Sequence, residues 1–187
     1  ELEPLGCLGD LGWYNVRFSM WVMNYQMPRR VAGRMLTEAR RPDSQSAVPT
    51  EFSGELFFEN GVTASFYCSF RTGPQQWAIV SGTKGYVRLD DFVVPHYGNE
   101  ISFTVTNSGL NQKSCDFNME DHTRRVAIPE YSNGWENSQE TNLFRNFSHL
   151  VLSQKVDTTW SDIALKTQRV VDACLASARN GGNSIDL

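Results

Sequence analysis

Residues 52–70 read Phe52-Ser53-Gly54-Glu55-Leu56-Phe57-Phe58-Glu59-Asn60-Gly61-Val62-Thr63-Ala64-Ser65-Phe66-Tyr67-Cys68-Ser69-Phe70. Phe52, Gly54, Leu56 and Phe58 alternate with polar partners, and so do Val62, Ala64, Phe66, Cys68 and Phe70, with Thr63, Ser65, Tyr67 and Ser69 on the other face. A period of two is the signature of half-buried strands. Asn60-Gly61 between the runs predicts a tight hairpin, because both turn residues then take positive φ at little cost. This stretch is therefore two antiparallel strands with one apolar face.

Working outward, a second strand pair is predicted over 76–82 and 85–91, joined through Gly82-Thr83-Lys84-Gly85. Weaker strands are expected near 31–39, 101–106 and 123–128, while the polar segment 107–122 is expected to be an irregular loop. Short connections imply an antiparallel meander, since parallel pairs need long crossovers. Upstream, Leu11, Val16, Phe18, Met20, Trp21, Val22 and Tyr25 predict a helix buried on most sides and closed by Pro28. Downstream, Asn137 and Glu140 suggest a capping-box start for a helix with Leu143, Phe144, Phe147, Leu150 and Val151 on one face. A last helix presents Trp160, Ala164, Thr167, Val171, Cys174 and Ala178, and Gly181-Gly182 stops it. The order predicts an α+β fold: an open, mainly antiparallel β-sheet with helices packed on one face. The other face, with Thr63, Ser65, Tyr67 and Ser69, meets solvent or another protein.

The chain has 187 residues, 40% hydrophobic and 20% charged, with a net charge of −4. That is too apolar for a disordered chain, and the size suits one domain over residues 1–187. Its mild acidity argues against nucleic-acid binding, and no apolar run is long enough to span a membrane as a helix. Four cysteines, Cys7, Cys68, Cys115 and Cys174, lie far apart without a C-x-x-C pair or a histidine at ligand spacing, so no metal site is expected. Cys68 and Cys174 read as buried free thiols, which suits a reducing, cytoplasmic setting. The chain starts at Glu1 and is strongly patterned by Gly9, so it reads as part of a longer polypeptide.

The densest polar and aromatic cluster is Gly9-Asp10-Leu11-Gly12-Trp13-Tyr14-Asn15-Val16-Arg17. On a helix, Asp10 and Tyr14 are i,i+4 neighbours and Arg17 follows one turn along. A carboxylate, a phenol and a guanidinium on one stripe can hold and deprotonate a polyhydroxylated substrate. The same spacing also suits a structural role, with Asp10 capping the helix, Tyr14 packed and Arg17 solvated. His96, His122 and His149 lack partners for a triad or a metal site. No G-x-G-x-x-G turn and no Walker lysine is present, so a cofactor-binding residue set is not expected in this chain.

The chain resembles the C-terminal domain of the glucose–fructose oxidoreductase, inositol dehydrogenase and MocA oxidoreductases. Asp10-Leu11-Gly12-Trp13-Tyr14 is similar to the family's D-x-G-x-[HY] helix, Gly82-Thr83-Lys84-Gly85 to its G-T-x-G turn, and Lys166–Ala173 to its closing helix. Tyrosine at position 14 resembles the dihydrodiol dehydrogenase and glucose–fructose oxidoreductase branches. The resemblance implies a fold like the C-terminal domain of glyceraldehyde-3-phosphate dehydrogenase, joined in the parent protein to an N-terminal Rossmann domain that binds NAD or NADP. It implies a sugar, polyol or diol substrate and a homodimer formed through the open sheet face. Tyr14 would be the proton donor or acceptor and Asp10 would orient the substrate or Tyr14. Trp13 and Arg17 would touch the substrate. Hydride would pass to or from the nicotinamide. A phenol needs a nearby cation to work near neutral pH, a role for the Rossmann half's lysine with help from Arg17. Without the Rossmann half, the chain alone is expected to bind no NAD(P) and to be inactive. The alternative is a stand-alone binding or dimerisation module without a catalytic role.

Overall fold

A computed structural model describes residues 3–44, 46–96, 98–130 and 135–187. They form two compact units. The first comprises residues up to Gly73 together with Asp157–Leu187, and the second runs from Pro74 to Val156.

In the first unit, a π-helical turn at Leu8–Gly12 leads into α1 (Trp13–Val22). Leu8, Gly12, Val16 and Met20 are buried, four residues apart, so the helix buries a single stripe, and Trp21 is 59% exposed. This corrects the expectation of a helix buried on most sides. The helix also ends well before Pro28, because Asn24 and Tyr25 take left-handed φ values of 52° and 58°.

Strands β1 (Arg30–Ala39), β2 (Val48–Phe57) and β3 (Thr63–Ser69) follow. The expected turn is present, with φ of 58° at Asn60 and 74° at Gly61, within a 3-10 turn at Glu59–Gly61. The register pairs Phe52 with Cys68 and Leu56 with Ala64. One sheet face thus carries Val31, Phe52, Leu56, Phe66 and Cys68 into the core.

The closing helix, α3 (Thr159–Arg179), covers that face with Val170, Val171, Cys174 and Leu175. Its buried stripe starts at Ile163, whereas Trp160 is exposed. Gly181 and Gly182 end it at φ of 68° and 83°, as expected. The chain then adds β8 (Ile185–Asp186) beside β1, giving the strand order β3-β2-β1-β8. Each fully buried side chain such as Phe52 or Leu56 contributes about 1.5–3 kcal/mol through removal from water.

The second unit holds β4 (Ala78–Gly82), β5 (Gly85–Leu89), β6 (Glu100–Lys113) and β7 (Asp116–Pro129) in that order, all antiparallel. The segment expected to be an irregular loop is instead the distal part of a long β6–β7 hairpin, paired from Glu100↔Pro129 to Lys113↔Asp116. Its residues are exposed on both faces, so no apolar alternation marks it. Helix α2 (Gln139–Ser153) is capped by Ser138, whose side chain accepts from the Thr141 N–H, and not by Asn137. None of the α2 residues is buried. Among the described residues of this unit, only Thr106 and Ser138 are buried. The fold is α+β with open antiparallel sheets. Hydrogen bonding divides the strands into two sheets, and the packed helices are α1 and α3.

Candidate functional site

The π turn and α1 place the sequence-selected residues. Gly12 lies on the buried stripe, where a Cβ would stand 2.9 Å from Leu8 Cδ1 and 3.4 Å from Cys68 Sγ. Glycine therefore lets the helix approach β3 closely. Asp10 and Tyr14 fall on the other side and are exposed, Tyr14 by 46%. A π turn is wider than an α turn, and such turns inside helices occur often at functional sites.

Trp13 is half-buried and packs against the core cluster. Arg17 is also half-buried, its guanidinium 5.3 Å from the centre of the Tyr25 ring. Tyr25 is held by the hydrogen bond its N–H donates to Met20 O at 2.6 Å. The sequence marked Tyr25 only as a core residue; its left-handed backbone, which brings the ring under Arg17, has no signature in the apolar pattern. Asp10 does not cap the helix, whose N-cap is Cys7 without a side-chain hydrogen bond.

Two concavities lie elsewhere. One of about 570 Å³ is lined by Leu5, Asp172, Leu175, Ala176, Arg179 and Asn180. Another, of about 610 Å³, lies among Trp135, Glu136, Asn137, Asn142 and Arg145. Neither includes Asp10, Trp13, Tyr14 or Arg17.

A polar network missed by sequence reasoning lies at the β1–β3 sheet. Glu51 accepts from Tyr67 Oη at 2.7 Å and from Thr37 Oγ1 at 2.8 Å, with Arg71 Nε 3.9 Å away. The Tyr67 hydroxyl, then that of Thr37, holds the Glu51 carboxyl below its usual range. The register shift between Met35 and Thr37 accompanies the placement of Thr37 opposite Glu51. Among the described residues, no group of three or more histidine, cysteine, aspartate and glutamate side chains is arranged to hold a metal.

With its antiparallel sheets and the site helix leading into β1, the molecule has an α+β fold that it shares with solved oxidoreductase structures. Residues 1–88 match the model of the GFO/IDH/MocA C-terminal domain. Among solved structures, the chain is similar to an aldose-aldose oxidoreductase from Caulobacter crescentus complexed with glycerol. Identity is 21% and the TM-score 0.69, covering 97% of this chain and 48% of that one. A 3-ketoreductase from Actinomadura kijaniata in complex with NADP is 17% identical with a TM-score of 0.69, covering 94% and 48%. GenD2 from gentamicin A biosynthesis, in complex with NAD, is 21% identical with a TM-score of 0.64, covering 97% and 48%. The chain spans about half the length of these proteins. No helix among the described residues is long and apolar enough to cross a membrane.

Proposed function

We propose that residues 1–187 act as the C-terminal substrate and dimerisation domain of an NAD(P)-dependent oxidoreductase acting on a sugar, polyol or diol. One observation carries this reading: Asp10 and Tyr14, four residues apart across a π-turned helix start, are both exposed within the stretch matched to the family model. The structures similar to this chain are of an aldose-aldose oxidoreductase and a 3-ketoreductase, which supports a carbohydrate-like substrate. Complexes with NADP and NAD among them support that cofactor for the parent protein. The residues of this chain do not fit the cofactor themselves. Both sheets are antiparallel, and among the described residues no strand–turn–helix with a glycine-rich turn is present to receive a pyrophosphate. The dinucleotide would therefore be held by a Rossmann partner domain, in a protein proposed to be cytoplasmic.

The steps assigned here belong to this chain's own side chains. In reduction, the Tyr14 hydroxyl gives its proton to the substrate carbonyl oxygen; in oxidation, its oxygen takes the proton of the substrate hydroxyl. Asp10 accepts a hydrogen bond from a neighbouring substrate hydroxyl and fixes the sugar's orientation. Trp13 and Arg17 flank the substrate, with Tyr25 keeping Arg17 in place. In the full-length protein, Tyr14→Phe should lower kcat by roughly 10²–10⁴ while cofactor affinity stays nearly constant. Near-unchanged turnover would overturn the assignment.

The second reading is a non-catalytic binding or dimerisation module. It is favoured by one observation, that Asp10 and Tyr14 line neither of the two concavities. Both readings place a homodimer contact on the open face of β1–β3, where Leu36 and Tyr67 are exposed and Arg30 lies over the Phe57 ring. Light scattering should give twice the chain mass; a monomer mass at all concentrations would refute the dimer.

A further inference from the structure

We propose that Cys7 and Cys68 form a reversible disulfide, which on oxidation ties the start of the Asp10 and Tyr14 segment to β3. This is independent of the oxidoreductase reading. The two cysteines are 61 residues apart in sequence, yet their sulfurs lie 4.0 Å apart inside the first unit. Both side chains are buried, and both are free thiols. Cys7 stands at the N-cap of the π turn, and Cys68 faces it from β3. Reaching the ~2.05 Å of a disulfide takes about 2 Å of approach between the sulfurs. Gly12 leaves that space open, because a Cβ there would already touch Cys68 Sγ at 3.4 Å.

The pair is also polarised. The Cys7 S–H donates to Cys68 O at 3.5 Å, and the Cys68 S–H is directed at Cys7 Sγ. That second contact lowers the Cys7 thiol from its ordinary value and raises Cys68, which burial raises further. Cys7, at the helix start, acts as the first nucleophile and Cys68, 4.0 Å away, as the resolving thiol. The third buried cysteine, Cys174, is pushed up to about 12 by burial and is not poised in this way.

With hydrogen peroxide as oxidant, the Cys7 thiolate attacks one peroxide oxygen, the O–O bond breaks, and hydroxide leaves. Cys7 is then a sulfenic acid. Cys68 sulfur attacks Cys7 sulfur, the S–O bond breaks, and the hydroxyl group departs as water with the Cys68 proton. Two thiols and one peroxide give one disulfide and two waters. An excess of a small dithiol reverses the reaction by exchange.

The test treats the intact protein with excess hydrogen peroxide over hours, alkylates it under denaturing conditions, and maps the unreduced peptides by mass spectrometry. A linked peptide pair containing Cys7 and Cys68 is expected, with near-complete loss of alkylation at both. Cys174 should stay alkylated, and dithiothreitol should restore the two thiols. Full alkylation of Cys7 and Cys68, a linkage of either to Cys174, or irreversible sulfinic acid at Cys7 would overturn the proposal. The Cys174→Ser variant should keep the linkage, so its loss there would also count against the pair.

Discussion

Replacing Gly33 by alanine tests how closely β1 and α3 pack. Gly33 lies in β1, where an added Cβ would stand 2.2 Å from the Cys174 carbonyl oxygen and 2.8 Å from Phe52 Cζ. The first contact is with helix backbone, which cannot swing aside as a side chain does. Restoring a normal separation requires the two elements to part by about 1 Å. The same movement loosens the hydrogen bond from Gly33 N–H to Ser177 Oγ, now 2.9 Å, while Ser177 donates to Asn183 O at 2.6 Å. Overpacking costs about 1–3 kcal/mol, and the weakened hydrogen bond adds about 1 kcal/mol. A total of roughly 2–4 kcal/mol lowers Tm by roughly 4–16 °C in a chain of this size. Urea unfolding followed by circular dichroism, with Gly109→Ala as control, measures it. Gly109 has nothing within 4 Å of an added Cβ, so its substitution should be neutral or stabilise by about 0.5 kcal/mol. A Gly33→Ala protein within about 0.5 kcal/mol of wild type would refute the close-packed seam.

The Glu51 network should make stability acid-sensitive. Tyr67, then Thr37, depresses the Glu51 pKa in the folded protein, so its contribution is full above the unfolded carboxyl value and lost as pH falls through the folded one. The Tm difference between wild type and Glu51→Gln should accordingly be largest near neutral pH and shrink on acidification; a constant difference down to strongly acidic pH would contradict this. At α2, Ser138→Ala removes the acceptor of the Thr141 N–H, 3.3 Å away, and should cost about 1 kcal/mol. Hydrogen exchange should show faster exchange in the first turn of α2, and unchanged protection there would count against Ser138 as the cap.

Elements whose cause is local were legible in the sequence. The β2–β3 hairpin follows from alternation on both sides of Asn60-Gly61, and its turn has the two positive φ values that pair demands. The stop of α3 at Gly181-Gly182 is local in the same way, as is the Gly82↔Gly85 closure of the β4–β5 hairpin. Asp10 and Tyr14 could be selected because helical spacing places them on one side, whichever type of turn begins the helix.

Tertiary structure alone decided the rest. The distal β6–β7 hairpin is exposed on both faces, so no apolar period identifies it; cross-strand hydrogen bonds, which have no sequence signature, define its register. Trp13 and Trp21 are chemically alike, yet one packs on the core and the other faces outward, because the stripe through Leu8, Gly12, Val16 and Met20 fixes the rotation of the helix. Cys7 and Cys68 look unrelated in the chain. They meet because the first turn packs on β3 at Gly12, and a contact between residues 61 apart depends on the path of the folded backbone, to which local spacing is blind.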